Sequence, residues 1–243
     1  MRRATVLSVF LLAAAALAAC GKSGSPVAAD TASTATSRTT TATEPEIVPR
    51  SHHDGCKAVP SPVPSAHPTV ALSKRRLSRK RTYVAVLRTN CGTIEIELDV
   101  RHAPKTTASF AGLVRRRFYD GLNFHRVSHP EGKDFVIQGG DPELTGNGGP
   151  GYSVVERPSK KTRYLEGVVA MAKTPDEARG TSGSQFFIVT ARDAKLPPDY
   201  AVLGHVVGST TAVRRIARLT TDPVSEMPVD PVVIKSIRLT SRG

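Results

Sequence analysis

Tyr83-Val84-Ala85-Val86-Leu87-Arg88-Thr89-Asn90-Cys91-Gly92-Thr93-Ile94-Glu95-Ile96-Glu97-Leu98-Asp99 is where the chain changes character. Val84 and Val86, then Ile94, Ile96 and Leu98, alternate with other residues, and Thr93, Glu95, Glu97 and Asp99 form the opposite set. A period of two is that of half-buried strands, whose successive side chains leave opposite faces. The expected inward set is therefore Val84, Val86, Ile94, Ile96 and Leu98. Asn90-Cys91-Gly92 between the runs reads as a tight hairpin turn.

Downstream, Pro104 suits the first turn of a helix, and Phe110, Ala111, Val114 and Phe118 recur at helical spacing. Arg115-Arg116-Arg117 fall near its last turn, where cations favour the helix dipole, and Asp120-Gly121 ends it. Short apolar runs broken by Gly and Pro follow. Residues 135–138, 167–172, 186–189 and 202–207 read as strands, 210–219 as a second helix with Val213, Ile216 and Ala217 inward, and 232–239 as a closing strand. Many strands with two helices predict a β-barrel or sandwich with helical plugs.

Upstream of Tyr83 the composition is different. Arg2-Arg3 precede an apolar stretch from Val6 to Ala19, too short for a span and fitting the h-region of a signal peptide. It ends Leu17-Ala18-Ala19-Cys20, which resembles the lipobox of bacterial lipoproteins. That resemblance implies cleavage before Cys20, a lipid on Cys20, and an extracytoplasmic protein anchored to the cell membrane. Residues 23–70 are dominated by Ser, Thr, Ala and Pro, with Pro60, Pro62, Pro64 and Pro68 closely spaced. Such a stretch buries too little apolar surface to offset ordering entropy and reads as a disordered tether that stiffens toward its Pro-rich end. The expected organisation is a signal peptide (1–19), a lipid-anchored tether (20–82) and one folded domain (83–243).

The chain is 39% hydrophobic, lacks Trp and carries a formal charge of +13. Lys74-Arg75-Arg76-Leu77-Ser78-Arg79-Lys80-Arg81 concentrates six of the cations. No aromatic residue interleaves this run and no recognition helix follows it, so it reads as a solvated basic linker and nucleic acid is not expected as a partner. An anionic membrane surface could add to the anchor there. His52-His53-Asp54-Gly55-Cys56 lacks the second ligand pair of a structural zinc site, and no metal is expected. With Cys20 lipidated, Cys56 and Cys91 remain in an oxidising compartment and are expected to pair, stapling the tether to the domain.

Three segments carry the chemistry: Phe124-His125-Arg126-Val127 with Phe135-Val136-Ile137-Gln138-Gly139-Gly140-Asp141; Val169-Ala170-Met171-Ala172; and Gly183-Ser184-Gln185-Phe186-Phe187-Ile188. Arg126 stays protonated and cannot be a general acid or base, yet it can donate hydrogen bonds to a neutral amide. Phe135, Val136 and Phe187 could wall an apolar pocket beside it. From pattern alone an arginine in a salt bridge, with phenylalanines that merely fill the core, is the favoured reading. Ser184 is not in a nucleophile elbow, residues 146–149 lack the ending of a phosphate loop and read as a turn, and His125 reads as structural.

These segments, together with Gly148-Gly149-Pro150-Gly151-Tyr152, resemble in order and spacing the cyclophilin-type peptidyl-prolyl cis-trans isomerases, over Val84 to Leu239. The resemblance implies a mainly β fold, a closed eight-stranded antiparallel barrel capped by two helices. It implies rotation of X–Pro bonds in proline-containing polypeptides, with no cofactor, by a chain expected to be a monomer. It matches Arg126 to the catalytic arginine, and Phe135, Val136, Phe187 and Leu196 to the proline pocket. Gln138 matches a glutamine that orients the arginine. Ala172, Lys173 and Gln185 match contacts to the residue before proline, and Tyr200 stands where many members carry His. The chain departs from the pattern in three places. Phe135 lies nine positions after Arg126, against about five in common members, so residues 128–134 are expected to loop at the pocket rim. Lys195 replaces a frequent Trp of cyclosporin-sensitive members. Lys173-Thr174 replace a frequent Asn-Ala, and the charged 175–180 loop is longer. Two other functions compete: a non-catalytic module binding Pro-containing peptides, against which Arg126, Phe135, Gln138 and Phe187 together argue, and a solute-binding lipoprotein, which needs a larger two-lobed chain.

Overall fold

The computed structural model describes residues 55–64 and 69–243. Cys20 and the leader lie outside the described residues, as do His52 and His53. The expected hairpin forms from β1 (Thr82–Thr89) and β2 (Gly92–Leu98). At its turn the Cys91 amide donates to Thr89 Oγ1 at 3.0 Å, and that hydroxyl donates to the Gly92 carbonyl at 2.8 Å. On β2, Ile94, Ile96 and Leu98 are buried as expected. On β1 the phase is opposite: Ala85 and Leu87 are fully buried and Val84 and Val86 only half-buried. Val-Ala-Val-Leu is apolar throughout, so alternation alone could not choose the face.

Helix α1 (Pro104–Arg115) starts at the expected proline. It stops at Arg115 rather than running on to Phe118. The Phe118 amide bonds back to the Leu113 carbonyl and the Arg117 amide to that of Val114, the paired bonds of a Schellman ending. Arg117 takes the left-handed position of that ending, at φ 57°. The chain continues through β3 (Phe124–Ser128), a 3-10 turn (Pro130–Gly132) and β4 (Val136–Gly139). Next come β5 (Val154–Val155), β6 (Val168–Met171), β7 (Thr181–Ser182), β8 (Phe186–Val189) and β9 (Val202–Val207). Helix α2 (Thr211–Ala217) and β10 (Ile234–Arg242) complete the order.

Eight strands form one antiparallel sheet in the order β10-β1-β2-β9-β6-β8-β4-β3, and β5 pairs with β7 apart from it. The expected closed barrel is corrected here: the sheet is an open half-barrel. Its edge strands β3 and β10 share no ladder, and the segments around them meet at one bridge, Asn123 to Val233. The Phe124 and Gly121 amides bond to the Val232 and Ile234 carbonyls beside that bridge.

The sheet is apolar on both faces over its middle, which is why Phe186-Phe187-Ile188-Val189 is an unbroken hydrophobic run. Phe186 and Ile188 join the main core with Leu87, Ile94, Phe110, Leu113, Phe124 and Ile137. There Phe186 packs edge-on against Phe110, centroids 6.1 Å apart at 90°. Val213, Ile216 and Ala217 of α2 are buried in the same core, as their spacing predicts. Phe187 and Val189 point the other way, into a second cluster with Val136, Tyr164 and Ala170. This second, outer cluster is the floor of the site.

Part of the stretch read as tether is fixed to the domain. Cys56 is buried and bonded to Cys91, as the cysteine arithmetic predicts, and the Lys57 amide bonds to the Asn90 carbonyl. Val70 packs against the core with its amide on the Pro150 carbonyl, and Leu77 is buried. Residues 69–81 thus lie as a strap on the domain. Among the described residues no helix is long and apolar enough to cross a membrane.

Candidate active site

Strand register assembles the site. Arg126 on β3 stands opposite Gln138 on β4, Gln138 opposite Phe187 on β8, and Phe187 opposite Ala170 on β6. Residues paired across antiparallel strands share a face. One cross-strand row therefore sets a cation, an amide and an aromatic ring side by side on the outer face. The chain between β6 and β9 then covers this face: Leu196 and Tyr200 pack on the outer cluster with Phe135 and Ala172.

The result is a cavity of about 110 Å³ lined by Arg126, Phe135, Val136, Gln138, Ala172, Lys173, Phe187, Leu196 and Tyr200. It holds on the order of three or four waters, the scale of one compact ring. All the residues matched to the proline pocket, with the arginine, meet here. Gln185 does not line it. Gln185 lies in an adjoining cavity of about 790 Å³, which shares Arg126, Gln138, Ala172 and Lys173 and extends along residues 146–153 and 174–175.

Tyr200 stacks edge-on against Phe187, centroids 5.3 Å apart, with Lys173 Nζ 5.8 Å over its ring. Its backbone is held by a residue that pattern reading missed. Tyr164, fully buried, donates its hydroxyl to the Tyr200 carbonyl at 2.6 Å and accepts from the Tyr200 amide at 3.0 Å. Burial pushes the Tyr164 phenol up to about 12 despite that backbone hydrogen bond, so it stays a neutral donor.

The polar side of the site is a relay of hydrogen bonds. Arg126 donates through Nε to Glu226 Oε2 at 2.5 Å, through Nη1 to Gln138 Oε1 at 3.4 Å and through Nη2 to Ser128 Oγ at 3.3 Å. Ser128 donates to Glu226 Oε1 at 2.6 Å. Gln138 donates to Gln185 Oε1 at 3.0 Å, and Gln185 donates to the Gly146 and Gly148 carbonyls, each at 2.9 Å. The fully buried Asp141 accepts from the Glu143 amide at 2.8 Å and also from the Gly146 amide, fixing that loop. Gly148 is required: a Cβ there would sit 2.0 Å from Asp141 Oδ1.

Glu226 is the second residue that pattern reading missed. It sits 100 positions from Arg126, on a loop that its own backbone builds: Val127 donates to the Glu226 carbonyl, and Glu226 to that of Asp222. Asp222 Oδ1 caps the turn through the Val224 and Ser225 amides. Both partners are about one-third exposed. Arg126 is thus in a salt bridge, as one reading of the pattern had it, and it also lines the cavity. The carboxylate takes Nε, and the guanidinium still lines the cavity.

The other departures fall nearby. Residues 131–134 are exposed and line none of the small cavity, so the extra length stands beside the pocket rather than in it. Lys195 is exposed, with Nζ 3.0 Å from Asp193, beside Leu196. His125 is buried, and its Nδ1 has no partner among the described residues. Burial lowers its pKa, with Asp141 opposing and Arg126 adding to the effect. The unfolded chain therefore takes a proton first as pH falls below about 6.5. Stability is expected to hold above that value and to drop as pH falls toward the lowered folded pKa. Thermal melts at pH 7.5 and 5.5 check this, and the drop should shrink in His125→Asn.

Residues 84–239 match the family described as cyclophilin type peptidyl-prolyl cis-trans isomerase/CLD. The chain belongs to this family. It is 38% identical over 177 residues to a peptidyl-prolyl cis-trans isomerase A of Mycobacterium tuberculosis, covering 65% of this chain and 93% of that one. It is 36% identical over 176 residues to a peptidyl-prolyl cis-trans isomerase B of Streptomyces anulatus, covering 65% and 97%. A crystal structure of a Cryptosporidium parvum cyclophilin type isomerase superposes with a TM-score of 0.59 at 28% identity, over 67% of this chain and 99% of that one. The cyclophilin match begins in β1 and ends in β10, leaving out the strap and everything before it.

Proposed function

We propose that this cyclophilin accelerates X–Pro rotation in secreted or surface polypeptides, with Arg126 stabilising the twisted amide and Cys20 carrying a membrane anchor. The reaction comes with the family: the chain is a peptidyl-prolyl cis-trans isomerase. The geometry of the site supports a reading of how the reaction runs. The observation that carries it is the guanidinium of Arg126 at the wall of an apolar cavity the size of one ring.

Rotation about a peptide bond costs about 18–20 kcal/mol because amide resonance must be broken, and uncatalysed X–Pro exchange takes tens to hundreds of seconds. No bond is made or cleaved. At the twisted geometry the proline nitrogen regains a lone pair and becomes an acceptor. The ring sits against Phe135, Val136, Phe187 and Leu196 while the preceding carbonyl swings. Arg126, fixed on its far side by Glu226 and Ser128, donates to the altered amide without first reorganising, a preorganised electrostatic effect. Gln138 and Gln185 hold the strand of peptide before the proline, beside Ala172 and the Lys173 backbone.

The extracytoplasmic placement is supported by Arg2-Arg3, the apolar run to Ala19 and Leu17-Ala18-Ala19-Cys20. The Cys56–Cys91 bond supports it independently, since such bonds persist in oxidising compartments. A protease-coupled assay on an X–Pro peptide tests the reaction. Saturable acceleration is expected, with weak inhibition by cyclosporin because Lys195 stands beside Leu196. No acceleration would leave a peptide-binding module instead, and tight inhibition would contradict the role given to Lys195.

A further inference from the structure

The basic run that reads as a free linker is part of a cleft. Residues 75–78, Arg81 and Tyr83 face Val114, Arg115 and Arg117 at the end of α1, and Arg238 to Ser241 on β10, across about 620 Å³. The strap is fixed there. Leu77 is buried in the main core, the Ser78 amide donates to the Tyr83 hydroxyl at 3.2 Å, and the Arg81 amide to the Ser78 carbonyl.

Six arginines from three separate segments thus line one cavity. Only Arg238 has a carboxylate, Asp120 at 3.1 Å; among the described residues Arg75, Arg76, Arg81, Arg115 and Arg117 have none. Unpaired like charges oppose one another at this range. Burial, and then Arg75, lower the pKa of Arg115. Arg117 adds a second kind of strain. It holds the left-handed position that ends α1, where glycine is the usual residue, at φ 57°. A charged side chain is held in a disfavoured backbone state at the lip of the cleft, and such outliers collect at ligand sites.

We infer that this cleft is a phosphate-binding surface, and that its occupant is the headgroup layer of an anionic bilayer. Guanidinium groups match phosphate oxygens with paired donors. A nucleic acid fits less well: no Trp or Phe lines the cleft for stacking, and the hydroxyl of Tyr83, its one aromatic residue, is engaged by the Ser78 amide. The exposed Arg79 and Lys80 widen the cationic rim. The choice of bilayer rests on the proposed anchor at Cys20, which leaves a polar tether between lipid and strap. Docking there would hold the isomerase at the membrane surface rather than at the end of a loose leash.

Vesicle sedimentation tests this with residues 20–243 carrying Cys20→Ser, so that neither the apolar leader nor an acyl group contributes and a failed lipidation reading cannot mask the result. Binding to mixed phosphatidylglycerol–phosphatidylcholine vesicles is expected to exceed binding to pure phosphatidylcholine and to weaken steeply with salt. The strap variant R75Q/R76Q/R81Q should lose on the order of 100-fold of the anionic-vesicle affinity, at about 1 kcal/mol per basic residue. The domain variant R115Q/R117Q should lose on the order of 30-fold on the same scale. X–Pro turnover should be unchanged in both. Loss in the strap variant alone would reduce the cleft to a basic tail and overturn the inference. So would equal binding by all variants, or tighter binding of tripolyphosphate or single-stranded DNA than of anionic vesicles.

Discussion

Arg126→Ala lowers kcat/KM for X–Pro exchange by about 100- to 1,000-fold, the loss typical of removing one preorganised donor, while the fold stays intact. The size follows from what the side chain does. Arg126 is the one cation whose guanidinium lines the ring-sized cavity beside Phe135, Phe187 and Leu196; Lys173, the other cation there, is turned over the Tyr200 ring with Nζ donating to the Thr174 carbonyl. Without Arg126 the twisted amide has Gln138 near it but no charged donor. The fold survives because the Arg126 side chain is about one-third exposed on the outer face, not part of the core. The Glu226 carboxylate left behind keeps the Ser128 hydroxyl and solvent. Far-UV circular dichroism and a melting curve close to those of the wild type should accompany the kinetic loss.

Glu226→Ala comes second, with an expected fall in kcat of about 100-fold, the effect of misplacing a reacting group by about 1 Å. KM should change little. Among the residues that line the cavity, Glu226 hydrogen-bonds only Arg126, so its removal loosens the guanidinium while the apolar residues of the pocket keep their places. Glu226→Gln, which keeps a neutral acceptor for Nε but not the charge, should recover only part of the rate, the level toward which the wild type falls in acid; a change in the pocket itself would not be rescued that way. Acid gives a further readout. Burial raises the Glu226 pKa, but the hydrogen bonds from Ser128 and Arg126 outweigh it, and the carboxyl ends below its ordinary value. The clamp is therefore complete above the ordinary carboxylate range and is lost as pH falls through the lowered pKa. The wild type should show an acid limb in kcat that Glu226→Gln lacks.

Much of this architecture is legible in the sequence because local physics sets it. Gly92 to Leu98 alternates cleanly, since one face of β2 meets the core and the other does not. Residues 186–189 and 202–207 match β8 and β9 end to end. The pocket residues, carried over by family resemblance, meet in one cavity because register puts Arg126, Gln138 and Phe187 in a row.

What was illegible depends on distant contacts. The face of β1 is hidden in Val-Ala-Val-Leu, where only packing chooses Ala85 and Leu87. The ending of α1 at Arg115 needs a left-handed Arg117, a conformation no propensity assigns to arginine. β5 and β7 are two residues each and exist only through one another. Glu226 has no periodicity, motif or neighbour in the chain to mark it; only the folded loop carries it to Arg126. The strap misled for the opposite reason. Its composition is that of a solvated linker, and only two apolar side chains, Val70 and Leu77, fix residues 69–81 to the core.

The central claim is that Arg126 lowers the barrier to rotation about the X–Pro bond. Exchange NMR on a proline peptide at equilibrium measures that rotation directly, with no protease coupled to it. The account predicts catalysed cis–trans exchange with the wild type and exchange near the uncatalysed rate with Arg126→Ala, whose spectrum remains that of a folded chain. Undiminished exchange with the folded Arg126→Ala protein would contradict it.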